Sequence, residues 1–116
     1  MIKITFLKRD GVYFGFRESG HAGYAESGDD IVCAAVSAMT MLIINTIEVA
    51  YGSDVKYEID EKTTDISVTA LDALPSNGAE EKVQFAVSGL IYSYYIQLMD
   101  MLEDYYEYLD VSESEE

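Results

Sequence analysis

Apolar and polar residues alternate from the first positions of the chain. Ile2, Ile4 and Phe6 are separated by Lys3 and Thr5, the period of a half-buried strand. Asp10-Gly11 interrupts the pattern with residues suited to a tight turn, and a second strand-like run covers residues 12–18, so the chain opens with a predicted hairpin. The period then changes. Residues 31–47 carry no charge, and the pattern predicts a helix from near Ile31 to about Tyr51, with Gly52 as its stop and Asp29 or Asp30 as its cap. Apolar on most sides, this helix is expected at the centre of the fold. Alternation returns at Val55, Tyr57 and Ile59 and again at Ile66, Val68 and Ala70-Leu71, which predicts a second hairpin. Pro75-Ser76-Asn77-Gly78 then breaks the chain. A long helix follows from near Ala79, capped by Ser76 or Asn77, in which Val83, Val87, Leu90, Tyr94, Leu98, Met101, Tyr105 and Tyr108 recur by threes and fours on one face. The order ββαββα predicts an α+β fold: a roughly four-stranded, mainly antiparallel sheet with two long helices packed on it.

Length and charge narrow this picture. The 116 residues suit one domain, read as residues 1–111 followed by an acidic tail at 112–116. The uncharged run at 31–47 contains Ser37, Thr40, Asn45 and Thr46, is slightly short for a bilayer and has no basic flank, so it reads as a core helix and no membrane is expected. A single Cys forms no internal disulfide, and MIKITFLKRDG lacks the apolar stretch of a secretory signal, which points to the cytoplasm. With 7 Lys and Arg against 22 Asp and Glu, the net charge of −15 argues against direct nucleic-acid binding and favours a basic partner. Nothing after Lys82 is basic. The acids from Asp100 onward either solubilise that end or steer a cationic protein substrate. Six of the ten tyrosines, Tyr92, Tyr94, Tyr95, Tyr105, Tyr106 and Tyr108, fall on the second helix, more than one core-facing stripe absorbs. Some are expected on other faces, as material for a subunit contact. The acids at the end of that helix oppose its dipole, so the end should fray or be neutralised.

The candidate chemistry lies in one stretch, GHAGYAESGDDIVCAAVSAM, which holds the only His and the only Cys of the chain. Cys33 falls in the first turn of the predicted helix, where unpaired N–H groups and the dipole favour a thiolate and where the same N–H groups could hold an oxyanion. His21, twelve residues upstream, lies among Gly20, Gly23 and Gly28, glycines that would serve as hinges of a mobile loop folding back over the helix start. That is the arrangement a Cys-His dyad requires. Ser37 lies one turn beyond Cys33 on the same helical face, and Asp30 is the nearest acid able to orient the imidazole.

The stretch also resembles the signature of the bacterial ribosomal-processing cysteine protease family, in which Gly-His-Ala is followed by Asp-Ile-Val-Cys-Ala-Ala-Val-Ser. The His-to-Cys spacing, Asp30 three residues before Cys33 and Ser37 four after it all agree. The resemblance implies a cytoplasmic endopeptidase that removes the short N-terminal extension of the basic large-subunit ribosomal protein twenty-seven. It further implies Cys33 as nucleophile, His21 as general acid and base, Asp30 and Ser37 as supporting residues, and a homodimer. On the residues themselves, neither metal nor cofactor is expected. Two other classes stand beside the protease. One is a non-catalytic acidic module or chaperone that binds a basic ribosomal or ribosome-assembly protein. The other is a metal site, for which one His and one Cys would need acidic residues to complete the shell.

Overall fold

The alternating start of the chain forms β1 (Ile2–Arg9) and β2 (Val12–Ser19), joined through Asp10 and Gly11. Both turn residues have positive φ, 51° and 79°, the geometry that matches the twist of a two-residue hairpin. The computed structural model of the protein describes residues 1–20 and 27–116, apart from the side chains of residues 27–29. Its further elements are α1 (Ser27–Asn45), a π turn (Thr46–Ala50), β3 (Lys56–Ile59), β4 (Ile66–Thr69), two 3₁₀ turns (Leu71–Ala73 and Pro75–Asn77), α2 (Glu81–Tyr105) and β5 (Leu109–Glu115).

The sheet has five strands in the order β3-β4-β2-β1-β5. Three pairings are antiparallel, whereas β5 runs parallel to β1 with Leu109 beside Ile2. The α+β class holds, but the expected four-stranded, mainly antiparallel sheet is corrected to a mixed sheet of five. Residues 112–116, expected as an acidic tail, are largely β5. The strand is hidden in the sequence because only Leu109 and Val111 are apolar, while Ser, Asp and Glu are poor strand formers. Its partners supply what composition lacks. Lys8 Nζ lies 2.7 Å from the Glu113 carboxylate, Arg17 lies 3.0 Å from that of Glu116, and Arg9 Nε donates to the Glu116 carbonyl at 3.2 Å. The acidic end of the chain is thus neutralised in part by the basic first hairpin.

Glu113 continues the face of Leu109 and Val111 and also accepts from the Tyr13 hydroxyl. The hydrogen bond from Lys8, followed by that from Tyr13, holds its carboxyl below the usual carboxylate range. A depressed folded-state pKa contributes stability above the unfolded value, about 4.3, that is lost as pH falls through the folded value. Glu113→Gln should therefore be less stable than the parent near neutrality, and denaturant midpoints measured on acidification should converge below about pH 4. An unchanged gap across that range would show that the charge is not the source.

One cluster joins the layers. Ile2, Ile4 and Phe6 of β1, Phe16 of β2, Val32, Val36, Ile43 and Ile44 of α1, and Val87, Ile91, Tyr94 and Leu98 of α2 are all buried in it. A register shift between Leu7 and Lys8 lets β1 pass over Phe14 of β2, so Tyr13 reaches the same side as Phe6. There it stacks on Tyr92 with ring centroids 5.0 Å apart, 27° from parallel. Residues 30–50 are long and apolar enough to cross a membrane by length and composition alone. Val32, Val36 and Ile47 are nonetheless buried with the sheet. The helix is one-sided and not central as expected: Ile31, Met41, Leu42 and Val49 are exposed. Ser76 and Asn77 do not cap α2. They belong to a 3₁₀ turn that ends at Gly78, and α2 starts only at Glu81. Asn77 Nδ2 donates instead to Asp72 at 2.7 Å.

Candidate active site

Cys33 is carried by α1, at the boundary between its buried and exposed faces. Val32 and Val36 are fully buried, Ile31 is exposed, and Cys33 lies half-buried between these faces, packed against the core. Ser37, one turn further along, is exposed, as is Asp30. The helix begins at Ser27, earlier than the sequence pattern indicated, and this changes three expectations. Asp29 and Asp30 lie inside the first turn, where negative charge suits the dipole, and neither is the cap. Gly28 is part of the helix, not a loop hinge. Cys33 is the seventh helical residue. The N–H groups left unpaired at a helix start are those of its first residues, here 27–29, the last of them about 6 Å of rise before Cys33. The helix start is therefore too distant to serve as assumed, as thiolate stabiliser and oxyanion holder.

His21 and Gly23 lie outside the described residues. Gly20 marks the point where the chain leaves β2 towards them. Its φ is +86°, and a Cβ there would stand 2.0 Å from the Met1 carbonyl oxygen. Only glycine fits a backbone that is left-handed and presses on the start of β1. The exit of β2 is thereby fixed against the central part of the sheet.

Sequence reasoning passed over Glu18. It continues the inward register of Phe16 on β2 and is 1% exposed, an unusual seat for a carboxylate. Thr40 Oγ1 of α1 donates to Glu18 Oε1 at 2.6 Å, and the Tyr94 hydroxyl of α2 donates to the same oxygen at 2.7 Å. Burial, and next the charge of Glu18, push the Tyr94 hydroxyl far above its ordinary range, so it remains a donor. Thr40 is two turns beyond Cys33 on α1, and Glu18 is two residues before Gly20. The available signal was the Phe16-x-Glu18 alternation, which places an acid where the pattern demands an apolar residue. Among the described residues, two open concavities have volumes of about 440 and 420 Å³: the first reaches Glu18 and Ser19 at the end of β2 together with Arg17, Glu58 and Asp65, and the second includes Tyr13, Phe85 and Tyr92.

Comparison with known proteins places this arrangement. The family model described as cysteine protease Prp matches residues 1–110. The ribosomal processing cysteine protease Prp of Bacillus subtilis is 31% identical over 94 residues, covering 80% of this chain and 83% of its own. Among solved structures, SMU.848 from Streptococcus mutans superposes with a TM-score of 0.80 at 29% identity, over 100% of this chain and 99% of that one. Prp from S. aureus shares the fold. Its complex with a substrate peptide has a TM-score of 0.80 at 20% identity, and that with a covalently linked product peptide 0.75 at 22%, each covering 98% of this chain and 100% of that one. The single half-buried cysteine on α1, the His21-to-Cys33 spacing and the match along nearly the whole chain converge: this protein belongs to the Prp family of cysteine proteases.

Proposed function

We propose that the protein is a cytoplasmic endopeptidase that trims the short N-terminal extension of a basic large-subunit ribosomal protein, the one numbered twenty-seven. The observation that carries this reading is Cys33, set half-buried in α1 within a chain whose relatives are ribosomal processing proteases. This family membership displaces the non-catalytic module that composition alone left open.

In the proposed reaction the Cys33 thiolate attacks the scissile carbonyl carbon and His21, as imidazolium, protonates the departing amine. The resulting thioester is hydrolysed by water that His21 activates as base, which returns the proton to the imidazole. With the helix start out of reach, His21 is the group that activates the thiol, and Asp30 and Ser37 act in support. The S. aureus complex with a covalently linked product peptide is in keeping with an acyl intermediate on this fold. The net charge of −15 favours a cationic substrate, and no metal or cofactor enters any step. Exposed apolar residues, among them Leu42 on α1, Val49 in the π turn that follows it, and Phe85 and Ile96 on α2, supply contact surface for a homodimer.

Because Cys33 is the only cysteine, alkylation reports on it alone. Iodoacetamide rates across a pH series should depend on His21, with His21→Ala reacting about tenfold more slowly than the parent at neutral pH. Superimposable profiles would remove His21 from the mechanism.

A further inference from the structure

We propose that Glu18, Thr40 and Tyr94 form a positioning network that sets the rotation and height of α1, and with it Cys33, against the end of β2. The proposal rests on the reading of Cys33 as the nucleophile, but its evidence is separate. Apolar packing between α1 and the sheet is non-directional and fixes the helix register only loosely. Two hydrogen bonds converging on one buried carboxylate oxygen are directional, and being charge-assisted they are about twice as strong as neutral ones. Each donor comes from a different helix and the acceptor from the strand. The Thr40 and Tyr94 hydroxyls are themselves 3.2 Å apart, which closes the triangle.

The placement of this triangle separates it from ordinary core packing. Thr40 follows Cys33 by seven residues, two helical turns on nearly the same face, so any slide or roll of α1 released at Thr40 is passed along a rigid helix to the thiol. Glu18 stands at the end of β2, just before Gly20, whose backbone is pressed against Met1. The network therefore ties the element that bears the nucleophile to the point from which the chain departs towards His21. A carboxylate buried at 1% exposure is costly to keep, and a neutral apolar residue at its position would pack against Phe16 and Tyr94 at less expense. Precise placement of a reacting atom is a gain of the right kind, since a misplacement of about 1 Å costs on the order of a hundredfold in rate.

The test uses Thr40→Val, which keeps the shape and removes the donor, with Thr40→Ser as the rescue that restores a hydroxyl. Each full-length variant is assayed below its unfolding transition for iodoacetamide modification of Cys33 and for turnover of a tagged ribosomal-protein precursor, with Cys33→Ala as reference. Thr40→Val is expected to lower kcat roughly tenfold to a hundredfold at little changed KM, to alter the alkylation rate, and to recover most of both as Thr40→Ser. Tyr94→Phe should shift the same two readouts in the same direction. If Thr40→Val and Tyr94→Phe lower only the melting temperature and leave kcat and alkylation at parental values, the network is merely structural and the proposal fails. That failure leaves the nucleophile reading intact. Full activity in Cys33→Ala would instead overturn the nucleophile reading itself, and this proposal with it.

Discussion

Gly20→Ala should lose about 2–4 kcal/mol of stability and, in whatever fraction folds, most of its proteolytic turnover. Two costs add at this position. An alanine at φ +86° sits in a backbone region that L-residues avoid, and its Cβ would stand 2.0 Å from the Met1 carbonyl oxygen and 3.0 Å from the carbonyl carbon. Both are backbone atoms, so relief requires the start of β1 or the exit of β2 to move. Either movement disturbs the neighbourhood of Glu18. Gly78 provides the control. Its φ is +82°, yet nothing lies within 4 Å of a Cβ built there, so Gly78→Ala carries the strain without the collision and should cost only about 1 kcal/mol. Urea denaturation of the two variants separates the terms, and equal midpoints would show that the contact with Met1 is not tight.

Cys33→Ala is expected to reduce cleavage on the order of a thousandfold or more while leaving the fold in place. The half-buried side chain loses only its sulfur, and the buried residues of the same helix, Val32 and Val36, keep their places in the core. Stability should change little, and the variant should still bind a precursor, because the charges that attract it are untouched. Loss of activity together with loss of the folded state would leave the nucleophile assignment without support from this variant. Circular dichroism therefore accompanies the assay.

The chain revealed its local periods more fully than its closures. The first hairpin, the paired β3 and β4 and the long α2 were legible because each carries its own alternation or its own three-and-four spacing. β5 was not legible. It is held by its ladder with β1 and the buried Leu109, and its acids are offset by Lys8, Arg9 and Arg17, about a hundred residues away, a neutralisation that no local pattern encodes. The start of α1 is ambiguous in the sequence because Asp29 and Asp30 suit both a cap and a first turn, and in the fold they take the second place. At the site, Cys33 and His21 stood out as lone reactive residues at a matching spacing. Glu18 did not, since an acid at the end of a strand reads as exposed until Thr40 and Tyr94 are seen to converge on it.

The central claim, that Cys33 cuts a ribosomal-protein precursor, is tested most directly by intact-mass spectrometry. A tagged precursor carrying its N-terminal extension is incubated with the parent protein, with His21→Ala and with Cys33→Ala. The parent should convert the precursor to a single shorter species, lighter by the extension, while the Cys33→Ala sample keeps its full mass. Trimming at the same bond by Cys33→Ala would contradict the account.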